Sequence, residues 1–141
     1  KIMMAVYWLG GIVLAVVFTT YHTTTSSSSC NKFHAKICKC MEDRKQRPML
    51  HCSHSSLTEV PELPRNAVFI NLCHNKLEVL RDGSFSNFSQ LVTLLLAYNY
   101  IQVIELGAFR GLENLNKLVL DYNSLPLSAK IFQNGVFLLL T

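Results

Sequence analysis

Apolar and polar residues recur at fixed offsets through the second half of the chain. From one apolar position, further apolar residues follow at +3 and +5, Asn at +8, and another apolar residue at +10. The pattern reads Ala67, Ile70, Leu72, Asn75, Leu77, and again Leu91, Leu94, Leu96, Asn99, Ile101. It reads a third time as Leu115, Leu118, Leu120, Asn123, Leu125. The asparagines are 24 residues apart in both steps. A second motif follows each copy: Gly, any residue, Phe, two residues, then Phe or Leu. It occurs as Gly83, Phe85, Phe88, as Gly107, Phe109, Leu112, and as Gly135, Phe137, Leu140. Its steps are 24 and 28, which gives the third repeat four extra residues between Leu125 and Gly135.

Two motifs on one period describe a unit that cannot hide its apolar side alone and must stack on its neighbours. The alternation at +3 and +5 predicts a short strand with one face inward. The Asn predicts a turn whose side-chain amide bonds backbone groups that the turn leaves unpaired. Asn75, Asn99 and Asn123 thus form a structural ladder. Phe85, Phe109 and Phe137 predict a second apolar column on the outer side. A degenerate copy precedes these, with Leu50 and Cys52 at +3 and +5 and then Leu57 and Val60. Cys52 is accordingly expected to point inward.

These motifs resemble the leucine-rich repeat family, with signature L-x-x-L-x-L-x-x-N-x-L, over residues 47–141. The resemblance implies an α/β solenoid, a fragment of a horseshoe. Short parallel strands would line its concave face and an irregular or 3-10 outer side its back. Its N-terminal end would be a cap stapled by disulfides. Residues 30–64 then form the cap with the degenerate first repeat, and 65–141 hold three repeats without a C-terminal cap.

The five cysteines sharpen the picture. Cys30, Cys38, Cys40 and Cys52 precede the repeats, followed by Leu57, Val60-Pro61 and Leu63-Pro64, as in the caps of extracellular members. A solenoid's open apolar end needs a cover, and too few residues precede the repeats to build a core, so disulfides substitute. Three pairings of four cysteines exist. Cys38 with Cys40 is disfavoured by its geometry. The family analogy implies Cys30–Cys40 with Cys38–Cys52. A zinc site from His51, Cys52 and His54 beside Cys38 and Cys40 lacks the usual ligand spacings. No metal or cofactor is expected. Cys73 is left over on an outward strand position.

The N-terminus bears on the compartment. Lys1 precedes an apolar run from Ile2 to Phe18, and residues 23–29 are all Thr or Ser. Residues 1–25 read as a signal peptide or an uncleaved signal-anchor, with a Ser/Thr spacer to 29. Either delivers the chain to an oxidising, extracellular space. Half of the 141 residues are apolar and 16% are charged, which excludes a disordered charged tail. The net charge of +4 gives no clear nucleic-acid site. Lys32, Lys36, Lys39, Arg44, Lys45 and Arg47 face only Glu42 and Asp43 in the cap, a basic cluster read as a solvated loop.

Candidate chemistry is confined to recognition. No P-loop, Gly-x-Ser-x-Gly or His-Glu-x-x-His motif occurs, so no enzyme is expected. Residues between the inward leucines should face solvent on the concave side. The candidate ligand-binding set is Phe69, Asn71, His74, Leu95, Tyr98, Lys117, Val119, Asp121 and Tyr122. Thr93, Cys73 and Ala97 share the same face. The +7 column reads His74, Tyr98, Tyr122, with rings about 5 Å apart if the strands pair. Aromatic rings with polar tips suit recognition surfaces. Asn87-Phe88-Ser89 is the only N-glycosylation sequon and lies away from the inner strands.

Within the family, the 28-residue third repeat and the Gly-Val-Phe ending are similar to Toll-like receptor ectodomains, where repeat lengths vary. That implies a protein, glycan or microbial ligand on the concave face and a receptor dimer. It also implies a single-pass membrane protein at full length. The span and signalling domain would then lie outside this chain, which reads as an N-terminal fragment. The alternative is a secreted matrix or adhesion protein that binds growth factors or collagen, or a soluble decoy.

Overall fold

A computed structural model describes Cys30, residues 37–126, and the backbone of residues 3–9 and 12–18. Residues Met3–Leu9 (β1) and Ile12–Phe18 (β2) pair antiparallel, from Met3 opposite Phe18 to Leu9 opposite Ile12. The Ser/Thr spacer, Lys32, Lys36 and the Gly135, Phe137, Leu140 motif lie outside the described residues. Among the described residues, no helix is long and apolar enough to cross a membrane.

The principal sheet has five strands. Lys39–Glu42 (β3) pairs antiparallel with Pro48–His51 (β4), and β4 pairs in parallel with Phe69–Asn71 (β5). After the short outer strand Val79–Leu80 (β6), Thr93–Leu95 (β7) continues the parallel order. Val103–Ile104 (β8) pairs in parallel with β6 on the outer side, and Lys117–Val119 (β9) completes the main sheet. Leu50, Ile70, Leu94 and Leu118 stand in register across four rungs. From Ile70 onward that is the alignment the 24-residue period requires, and the degenerate first rung joins it after a shorter step of 20.

The core follows from this register. Leu50, Cys52, Ile70, Leu72, Leu94 and Leu96 are fully buried, as are Phe85 and Phe109. The Phe85 and Phe109 rings lie 6.0 Å apart, 17° from parallel, and form the expected outer column. Leu115, Leu118, Leu120 and Leu125, in the last described rung, are partly buried and pack against this core. The outer side consists of turns and the β6–β8 pair. No α- or 3-10-helical turn occurs among the described residues. The outer side is thus irregular, as the resemblance implied, with short strand pairing between Val79–Leu80 and Val103–Ile104.

The cap is a hairpin held by two bridges, Cys30–Cys40 and Cys38–Cys52. Cys52 is fully buried and Cys38 is 1% exposed, so the second bridge ties the cap to the solenoid core. The hairpin turn is closed by Asp43. Its carboxylate accepts from the amides of Lys45 and Arg47, each at 2.9 Å, and from Arg47 Nε at 2.8 Å. The Arg47 side-chain hydrogen bond, followed by its backbone amide, holds the Asp43 carboxyl below the usual carboxylate range. Arg47 is therefore taken out of the basic cluster. Cys73 forms no disulfide and is half-buried, and desolvation pushes its thiol up.

Candidate ligand-recognition face

The asparagine ladder sets where the strands end and the exposed column begins. Asn99 Nδ2 donates to Leu96 O of its own rung and Leu72 O of the previous one, both at 3.0 Å. Its Oδ1 accepts from the Leu77 amide at 3.2 Å. Asn123 repeats this with Leu120 O, Leu96 O and the Ile101 amide, at 2.9, 2.9 and 3.0 Å. Asn75 donates to Cys52 O at 2.8 Å and Leu72 O at 2.9 Å, and accepts from the Ser55 and Leu57 amides at 3.0 Å. Each amide thus satisfies three or four main-chain groups across two rungs. That satisfaction is why a polar side chain can stand 4–5% exposed at Asn75 and Asn99.

The residue just before each Asn is forced into an unusual backbone. His74, Tyr98 and Tyr122 have φ of 55°, 56° and 54°, and His54 has φ of 56°. Left-handed backbone costs a non-Gly residue roughly 1–2 kcal/mol. It persists only where the surroundings fix it. Here they do: the amides of His54, His74 and Tyr98 donate to the carbonyls of Cys73, Ala97 and Asp121 on the next rung, at 3.3, 3.1 and 3.1 Å.

One consequence is a column of four stacked rings. His54 and His74 have centroids 4.4 Å apart, His74 and Tyr98 4.4 Å, and Tyr98 and Tyr122 4.3 Å. Their planes lie within 10°, 7° and 6° of parallel. Such pairs contribute about 0.5–1.5 kcal/mol each. This offsets much of the backbone cost. The rings cover one another's faces, so the column presents edges: imidazole nitrogens and phenol hydroxyls that donate and accept. Tyr98 is 45% and Tyr122 71% exposed. Desolvation raises the Tyr98 phenol, and its hydrogen bond to Tyr122 and the Tyr122 and Asp121 charges act in the same direction. It therefore remains a protonated donor. Beside the column, Ser56, Lys76 and Tyr100 complete the wall of an open cleft of about 510 Å³.

Five of the six remaining candidates lie in two further columns on the same sheet, and Asp121 follows the last strand. Phe69, Thr93 and Lys117 are in register, as are Asn71, Leu95 and Val119. Lys117 and Asp121 are exposed, while Phe69, Asn71, Leu95 and Val119 are half-buried. Asn71 Oδ1 accepts from the Cys73 amide at 2.9 Å, which commits part of that side chain to the turn. Ala97 is only 7% exposed, so its position on this face presents almost no surface. The +6 carbonyls of Cys73, Ala97 and Asp121 are bonded between rungs.

Sequence reasoning missed Tyr100, and it considered His54 as a metal ligand but not as a member of the ring column. His54 lies at +7 of the degenerate rung counted from Arg47, and the repeat offset alone would have found it. The rung has Ser55 where the others have Asn, which hides the column's first member. His51 was weighed only as a metal ligand. Its ring lies 5.1 Å from that of Phe69, and its Nε2 is buried without a hydrogen-bond partner. Among the described residues, no group of three or more His, Cys, Asp or Glu is arranged to hold a metal ion.

Comparison with known proteins agrees with this geometry. The model of the family described as Leucine rich repeat matches residues 66–125. The chain is 48% identical to Toll-like receptor 3 of Bos taurus over 44 residues, 30% of this chain and 5% of that protein. It is 41% identical to the follicle-stimulating hormone receptor of Homo sapiens over 59 residues, 41% of this chain and 8% of that one. Among solved structures it is similar to a TLR13–ssRNA13 complex, with a TM-score of 0.56 and 38% identity over 63% of this chain and 13% of the other. This chain therefore spans only a small part of each of these relatives. The repeat register, the capped end and these matches together place residues 66–125 in the leucine-rich repeat family and make the chain similar to the N-terminal part of a Toll-like receptor ectodomain.

Proposed function

We propose that the chain is a ligand-recognition module of a Toll-like-receptor-type innate immune receptor, acting by binding and without catalysis. The observation that carries the reading is the ring column of His54, His74, Tyr98 and Tyr122 along an open cleft, on a capped repeat array. The edges of that column, with Lys117 and Asp121 on the adjoining strand face, are the contact surface for a protein, glycan or microbial ligand. Phe69, Asn71, Leu95 and Val119 form its half-buried floor. Residues 1–25 serve as the leader that delivers the chain to the extracellular side, with the spacer to 29 behind them. The cap spans 30–64 and the repeats follow it. Two relatives are receptors by name, which favours this reading over a matrix or adhesion protein.

The solved relative holds a single-stranded RNA, so a short labelled single-stranded RNA and a labelled sulfated glycan are natural first probes. Fluorescence anisotropy on the oxidised chain should show saturable binding of one of them. Tyr98→Ala with Tyr122→Ala should weaken that binding at least tenfold, and Leu106→Ala on the outer side should not. Binding of neither probe, or equal binding by the double variant, would count against the ring column as the contact surface.

A further inference from the structure

We infer that Asn87 carries an N-linked oligosaccharide, which reserves the outer turn of its rung for carbohydrate. The inference rests on the secretory route proposed above. Within Asn87-Phe88-Ser89, the two ends are exposed while Phe88 is 6% exposed and anchored in the core, its ring 6.4 Å from that of Phe85. The sequon's acceptor and hydroxyl residues thus stand in solvent on either side of a buried ring. The Asn87 side chain makes one long contact, from Nδ2 to Ser86 Oγ at 3.4 Å.

The competing explanation is that Asn is there only for the turn. Asn87 has φ of 69°, and Gly111, one period later, has φ of 85°. Both rungs need left-handed backbone at this position, which Gly and Asn tolerate best. The next turn packs at backbone level: a Cβ on Gly111 would lie 3.4 Å from the Asn87 amide nitrogen. The turn explains an Asn or Gly at 87 but does not require a hydroxyl at 89. It is the Ser89 carbonyl that receives Asn114 Nδ2, at 2.6 Å. Exposed Asn and exposed Ser at the acceptor spacing are what glycosylation adds.

The reaction needs a lipid-pyrophosphate-linked oligosaccharide as donor. Asn87 Nδ2 attacks the anomeric carbon of the first sugar, and an N–C bond forms. The bond from that carbon to the pyrophosphate oxygen breaks, and the lipid pyrophosphate leaves with the electron pair. One amide proton is lost. No redox change occurs, and a sugar of any later elaboration can be carried without entering the core.

The test is translation of the full chain behind a heterologous cleavable secretory leader, with microsomes. This makes the result independent of whether residues 1–25 act as a leader. A protease-protected product with a single endoglycosidase-sensitive shift, lost in Ser89→Ala and in Asn87→Gly, is expected. The two variants separate sugar from turn: Ser89→Ala leaves Asn87 in place, and Asn87→Gly keeps the left-handed turn. A protected product without the shift, or a shift that persists in Ser89→Ala, overturns the proposal. The same chain without the added leader tests the route alone: protection supports it, and failure of protection removes the native route and with it glycosylation in the cell.

Discussion

Replacing Asn75 with Ala should destabilise the fold more than replacing Asn99, although the two occupy equivalent places and are almost equally buried. The difference lies in what each leaves behind. Without Asn75, the Ser55 and Leu57 amides and the Cys52 carbonyl lose the partners it supplies, while Leu72 O keeps Asn99 at 3.0 Å. Without Asn99, Leu77 N–H is orphaned, but Leu72 O keeps Asn75 and Leu96 O keeps Asn123, both at 2.9 Å. A buried group left unpaired costs about 1–3 kcal/mol, and a lost bond where another remains about 1 kcal/mol or less. Ser55 and Leu57 are half-buried, so water recovers part of their loss. Asn75→Ala should therefore cost about 4–5 kcal/mol and Asn99→Ala about 3 kcal/mol, large against a total of roughly 5–15 kcal/mol. Equilibrium denaturation of the oxidised chain, followed by far-ultraviolet circular dichroism, measures both midpoints. Asn75→Asp adds a check: it keeps the acceptor oxygen but aims a carboxylate at the Cys52 and Leu72 carbonyls, so it should rescue nothing at neutral pH. An Asn99→Ala midpoint equal to or below that of Asn75→Ala would refute the accounting. So would losses near about 0.5 kcal/mol, the scale of a surface change.

Other outcomes follow from the cap and the turns. Removing the buried Cys38–Cys52 bridge, whose sequence separation is 14, should cost about 3 kcal/mol and lower the melting temperature more than removing the outer Cys30–Cys40 bridge. Gly83→Ala, at φ of 76°, should cost about 1–2 kcal/mol in denaturant titrations. Gly107→Ala should cost less, since only the exposed Asp82 carboxylate must swing away from an added Cβ. Asp43 has a lowered folded-state pKa, so its contribution is present above its unfolded value and is lost as pH falls through the folded one. Amide exchange at Lys45 and Arg47, corrected for its intrinsic pH dependence, should show protection falling on acidification, and Asp43→Asn should abolish that pH dependence.

The fold was readable because its period is carried by large apolar side chains with no alternative use. Ala67, Leu91 and Leu115 start rungs whose +3 residues meet in register. The bridge pairing came from family analogy, since spacing alone left two arrangements open. The outer β6 and β8 strands were not legible, because two-residue segments such as Val79–Leu80 carry no periodicity. The recognition column was legible in part. The +7 offset found His74, Tyr98 and Tyr122, but their left-handed backbone was invisible: Tyr has little intrinsic tendency toward it, and only pairing with the next rung's carbonyls imposes it. His54 was lost because Ser55 breaks the Asn signature of its rung. The half-buried state of Phe69 and Asn71 depends on neighbours that strand alternation does not specify.

The central claim is the inward and outward alternation on the parallel strands, and a pair of neighbouring substitutions tests it most directly. Leu94 is fully buried, while Thr93 is half-exposed and stands in register with Lys117. An aspartate at 94 would bury an unpaired charge, and one at 93 would sit opposite a cation. Secreted, oxidised chain should therefore be recovered at near wild-type yield and with a cooperative melt for Thr93→Asp, and not for Leu94→Asp. Equal recovery of the two, or a folded Leu94→Asp beside an unfolded Thr93→Asp, would contradict the register.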